Sequence, residues 1–188
     1  MELREYQKKV TSRLSDYITA LGEQREKYER IKEVEPEIAN DIHFPAKAWQ
    51  AIGLESYSKS YNGLSQPVPN LYFKVPTGGG KTLLATHSID LINKIYLNKQ
   101  NGMVLWIVPT TQIYRQTLKA LNDRQHPYRQ VLDVSSGGKT LILEKMDRFT
   151  PDDVGENLCV LLLMLPSASR QSNETLKIFK DNTGYTEF

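Results

Sequence analysis

The 188-residue sequence predicts an α/β fold in three layers, with helices on both faces of a parallel sheet. Two apolar runs, residues 103–108 and 158–165, read as strands buried on both faces, the kind that parallel sheets contain. Stretches with helical spacing alternate with them. A third observation is the turn Gly78-Gly79-Gly80, which joins the apolar residues 71–75 to a helical segment.

The elements follow in chain order. Leu3, Tyr6, Val10, Leu14, Tyr17, Ile18 and Leu21 recur at spacings of three and four, so residues 3–21 are expected to form an amphipathic helix ended by Gly22. Residues 23–35 interleave acidic and basic side chains and read as a solvated helix closing before Pro36. Gly63, Pro67 and Pro69 mark residues 59–70 as a loop. A short strand over 71–75 and a helix over 81–96 come next, the helix carrying Leu84, Ser88, Leu91, Ile92 and Ile95 on one face. After Asn101-Gly102 come the strand 103–108 and a second amphipathic helix over 111–121. Residues 131–134 and 140–143 are expected to be two strands of a hairpin turning at Ser135-Ser136-Gly137-Gly138-Lys139. Thr150 is placed to cap a helix with Pro151 in its first turn. Residues 158–165 supply a buried strand stopped by Pro166, and 172–180 a short helix. The expected organisation is a helical segment over 1–66 and a sheet-containing lobe over 67–188.

Composition narrows the class. The chain is 39% hydrophobic and 24% charged, ordinary usage for a soluble globular domain. Its one cysteine, Cys159, sits inside an apolar run with no histidine near it in sequence and reads as a small buried hydrophobe. The N-terminus lacks an apolar signal core, and no apolar run approaches the ~20 residues that span a bilayer. A cytoplasmic protein with no membrane partner is expected. Residues 67–149 carry 11 Lys/Arg against 5 Asp/Glu, so the basic excess falls on the segment holding the glycine turn. That balance suits polyanionic partners.

The chemistry lies in Val75-Pro76-Thr77-Gly78-Gly79-Gly80-Lys81-Thr82. Three glycines let backbone amides turn inward around an anion, and the following helix aims its free amides and dipole at the same point. Lys81 is placed to reach the β- and γ-phosphates, and the Thr82 hydroxyl to ligate Mg²⁺. This is a P-loop whose leading glycine is replaced by Val75, a departure common among helicase-like ATPases. The later string Ser135-Ser136-Gly137-Gly138-Lys139-Thr140 is similar, but a strand follows it, so no helix N-terminus faces a phosphate there.

Three pieces, taken in order, resemble the helicases and translocases of superfamily 2. Leu3-Arg4-Glu5-Tyr6-Gln7 resembles the N-terminal signature whose Gln contacts adenine, Pro76 to Thr82 resembles motif I, and Val108-Pro109-Thr110 with Gln116 resembles motif Ia. More narrowly, the motif-I string, the stretch Trp106-Ile107-Val108-Pro109-Thr110 and the residues from Leu161 to Glu174 resemble the Res subunits of type III restriction-modification systems. The resemblance implies a RecA-like P-loop lobe that binds ATP and Mg²⁺, acts on DNA, and works beside a methyltransferase subunit. It implies that Gln7 reads adenine, although a polar helix-surface Gln fits the sequence too. Thr110 and Thr111 would hold nucleic-acid backbone, with helix capping the other role open to Thr110. Arg115 fits a solvated helix face as well as a phosphate contact. Ser167, Ser169 and Arg170 follow a strand at the end where α/β sheets place ligands, and fit a DNA site or a plain loop.

Hydrolysis needs a carboxylate pair at the end of an apolar strand, and the chain holds no Asp-Glu dipeptide. Asp152-Asp153 opens a helix and is a poor substitute. An incomplete lobe is therefore expected, an N-terminal fragment that binds nucleotide without turning it over. Other readings stay open: a different superfamily 2 helicase on DNA or RNA, a GTPase-like switch or phosphotransferase, and a non-catalytic P-loop module.

Overall fold

A computed structural model of the chain describes residues 3–165. It divides into two compact units, Met1–Leu84 with Lys94–Asn98, and Ala85–Asn93 with Lys99–Phe188.

The first unit is built on α1 (Glu5–Val34), α2 (Pro36–Asn40) and α3 (Phe44–Ala51). One stripe of α1 is buried: Gln7, Leu14, Tyr17, Ile18, Leu21 and Tyr28. Gly22 does not end this helix. A glycine in a helix interior costs only about 1 kcal/mol relative to Ala, and strong helix formers follow it. Arg25–Glu29 and Glu26–Arg30 pair across one turn at 3.9 and 3.6 Å, and Tyr28 packs on Phe44 with ring centroids 5.2 Å apart. The charged stretch is thus a helix, as expected, continuous with the one before it.

Between α1 and α3 lies an aromatic cluster. Tyr17 meets Trp49 edge-on at 5.5 Å and Tyr57 in a stacked contact at 6.5 Å. His43 caps α3 through Nδ1, which accepts from the Ala46 amide. Residues 59–70 are not wholly a loop: β1 (Ser60–Tyr61) and β2 (Pro67–Val68) pair antiparallel. Residues 71–75 form no strand. Their apolar character suits one, but no strand among the described residues hydrogen-bonds to them, and Tyr72 is 89% exposed. Helix α4 (Lys81–Leu91) passes into a π-helical turn, Ile92–Leu97.

The second unit holds the sheet. Strands β3 (Gly102–Val108), β4 (Thr140–Leu143) and β5 (Leu158–Met164) are all parallel, in the order β3-β5-β4. Central β5 is buried on both faces, as its apolar sequence requires. Its odd-numbered residues Cys159, Leu161 and Leu163 pack with Leu143 and Val154; Leu158 and Val160 pack on the other face with Leu121 and Leu132. The first set lies against α7 (Pro151–Glu156), the second against α5 (Thr111–Asn122) and α6 (Pro127–Ser135). Helices on both faces of a parallel sheet are the three-layer α/β arrangement that the sequence predicts.

Two expectations fail around α6. Residues 131–134 are helical, and β4 joins β5 in parallel, so there is no hairpin. Val131 and Val134 suggest a strand in isolation, but Tyr128, Leu132 and Ser135 form a helical stripe. His126 caps it by accepting from the Tyr128 amide, with Pro127 in the first turn. Thr150 caps α7 as expected: the Asp153 amide donates to its Oγ1 at 3.2 Å, and its own amide donates to Asp153 Oδ2 at 2.8 Å. The expected helix 172–180 lies outside the described residues.

Candidate nucleotide-binding site

The loop from Val75 to Thr82 is shaped by its glycines. Gly78 and Gly80 have φ of +76° and +77°, the left-handed region that side chains disfavour. Gly79 is constrained by space. A Cβ there would lie 2.6 Å from Val75 Cγ1 and 2.9 Å from the Pro76 carbonyl oxygen. The Gly79 amide donates to the Pro76 carbonyl at 3.0 Å and closes the turn. Leu84 N–H donates to Gly80 O at 2.9 Å, a bond of the helical ladder that reaches back into the loop, so α4 starts from the loop itself.

This leaves the amides of Gly80, Lys81 and Thr82 without acceptors among the described residues, at the positive end of an 11-residue helix. Lys81 Nζ donates to the Pro76 carbonyl at 3.0 Å, which folds the ammonium back over the loop. Pro76, Thr77, Gly78 and Lys81 are exposed, and Thr82 is half-buried. Amides, ammonium and hydroxyl are together the donor set that a triphosphate and its Mg²⁺ require. No group of acidic, Cys or His side chains that could hold a metal by itself occurs among the described residues.

Gln7 lies against the loop, 4% exposed. Its Nε2 donates to the Gly79 carbonyl at 3.0 Å and to Tyr6 Oη at 3.3 Å. Its Oε1 accepts from the Arg4 amide at 2.9 Å. Tyr6 Oη donates to the same Gly79 carbonyl at 2.6 Å. The sequence assigns a binding role to Gln7 and marks Tyr6 only as an apolar position of the helix.

In the second unit Thr110 and Thr111 follow the C-terminal end of β3, where α/β sheets place ligands. Thr110 is the N-cap of α5: its Oγ1 accepts from the Ile113 amide at 3.3 Å. Thr111 Oγ1 donates to Met164 Sδ at 3.5 Å, so β3 and β5 end together. Arg115 is exposed on the next turn. Tyr114, unremarked in the sequence, donates to Glu144 Oε2 at 2.6 Å, and burial together with that carboxylate pushes its phenol well above the ordinary value. Ser167, Ser169 and Arg170 lie outside the described residues. The loop after α6, with Gly137 and Gly138 at positive φ, follows a helix C-terminus, whose dipole disfavours phosphate.

The three-stranded parallel sheet with its helices, and the glycine loop opening a helix with Lys and Thr, are those of a partial RecA-like P-loop domain. The family model for the type III restriction enzyme Res subunit matches residues 1–184, and the chain belongs to that family, which is helicase-like and ATP-dependent. Comparison with curated proteins and with solved structures finds no match.

Proposed function

We propose that the chain binds ATP and Mg²⁺ at Val75 to Thr82 as the nucleotide-binding part of an ATP-dependent DNA translocase that serves a type III restriction system. The observation that carries this is the loop: two glycines at positive φ, unpaired amides at a helix N-terminus, and the Lys81 ammonium folded over them. Lys81 would move from the Pro76 carbonyl to the β- and γ-phosphates, and Pro76, Thr77 and the three glycines would wrap the phosphate chain. Mg²⁺, held by the Thr82 hydroxyl, would neutralise charge between the phosphates. Gln7 would read adenine by exchanging its bond to the Gly79 carbonyl for one to the base.

Thr110, Thr111, Arg115, Ser167 and Arg170 are the proposed DNA contacts. A methyltransferase subunit is the proposed partner, and DNA cleavage in the cytoplasm the proposed end use. No helix among the described residues is long and apolar enough to cross a membrane.

Calorimetric titration with ATP–Mg²⁺ tests the site. Saturable binding is expected, weakened at least about tenfold by Lys81→Ala, the loss expected of a charged hydrogen bond. Equal affinity of the two proteins would overturn the proposal. The 188-residue chain is further expected to release ATP unchanged. A steady ATPase rate that depends on Lys81 would contradict that expectation.

A further inference from the structure

The geometry points to Tyr6 as a positioning residue for the phosphate loop, acting through the carbonyl of Gly79; this rests on the nucleotide-binding reading above. Three hydrogen bonds form a closed triangle. Tyr6 Oη and Gln7 Nε2 both donate to Gly79 O, at 2.6 and 3.0 Å, and Gln7 Nε2 donates to Tyr6 Oη at 3.3 Å. The Gln7 amide is oriented by its other end, because Oε1 accepts from the Arg4 N–H and only the NH₂ group is left to face the loop.

The effect on the loop follows from peptide geometry. No peptide bond among the described residues is cis, so the Gly79 C=O and the Gly80 N–H lie in one plane and point in opposite directions. Holding the carbonyl toward α1 turns the Gly80 N–H away from α1. Gly79's own N–H is already committed to Pro76 O. The peptide that hands the chain from loop to helix therefore has one free donor, and Tyr6 fixes its direction.

Space supports a built contact. A Cβ on Gly80 would lie 2.5 Å from Gln7 Nε2, so this glycine is what admits the α1 side chains to the loop. The two donors have unequal tasks. Gln7 has a base to read and would leave Gly79 when it does so. Tyr6, with the shorter bond, stays and keeps the Gly80 amide aimed while Gln7 is engaged elsewhere. Tyr6 is 37% exposed and belongs to no part of the core, so removal of its hydroxyl leaves the fold intact.

The experiment compares the full chain with Tyr6→Phe and Gln7→Ala, using ATP, GTP and inorganic tripolyphosphate as probes. Tyr6→Phe is expected to weaken all three by one common factor of about fivefold, the loss of one hydrogen bond. Its melting temperature should match the parent's, and amide exchange at residues 77–82 should quicken before any ligand is added. Gln7→Ala is expected to change the ATP-to-GTP ratio. Tyr6→Phe with unchanged affinities and unchanged exchange would overturn the inference while leaving the site standing. A loss confined to ATP would overturn it as well, because that marks a base contact. Failure of the parent chain to bind any probe would remove site and inference together.

Discussion

Arg129 is the residue that ties the second unit together. Buried in α6, its guanidinium donates to the Leu121 carbonyl at 3.0 Å, to the Thr140 carbonyl at 2.9 Å and to Asp133 Oδ1 at 2.8 Å. Those acceptors lie at the end of α5, the start of β4 and one turn along α6. Arg129→Met is expected to cost about 3 kcal/mol in urea denaturation, because two carbonyls and a carboxylate lose a buried partner at once. Nothing in the sequence marks this arginine, since its partners are backbone oxygens that only the fold assembles. Cys159 is the contrary case, legible from its apolar neighbours. Burial, with Asp153 nearby, raises its thiol pKa above the ordinary 9.0. Alkylation by iodoacetamide at pH 8 is expected to be slow in the native protein and fast in guanidinium. The sign for stability follows: the buried neutral thiol contributes fully below pH 9.0, and that contribution is lost as pH rises through the raised native value. Denaturation midpoints of the parent should fall toward those of Cys159→Ala as pH rises above 9.0.

Among the elements, α1 shows how a local signal can mislead. Gly22 looks like a stop, but its neighbours have strong helix propensity and Tyr28 is anchored in the core beyond it. A Cβ at Gly22 meets nothing within 4 Å. Gly22→Ala is therefore expected to stabilise the protein by about 0.5–1 kcal/mol in thermal or urea unfolding. Strand β5 and helix α5 are readable because double-sided burial and helical spacing leave strong patterns. Strand β3 forms as its apolar run predicts, but it is not buried on both faces, since Leu105 and Ile107 are exposed on one of them. Helix α6 was not, because two β-branched residues outweighed a cap built from His126 and Pro127. Residues 71–75 were misread for another reason: a strand exists only with a partner, and local sequence does not supply one.

At the scale of the whole molecule, the P-loop was legible because its chemistry is local. Eight consecutive residues make the turn, the amides and the ammonium. The grip of Tyr6 and Gln7 on Gly79 bridges 73 and 72 positions, and no spacing rule reaches that far. The same limit applies to Tyr114 and Glu144, 30 residues apart.

Among the described residues no strand pairs with the second edge of β3 in the order β3-β5-β4, and its own Leu105 and Ile107 are each 42% exposed. An apolar strand whose edge donors have no strand partner among the described residues is a template on which like molecules stack. Concentrated solutions of this chain are therefore expected to scatter light increasingly with time. Leu105→Lys should suppress that turbidity, because a charge on the margin makes stacking costly.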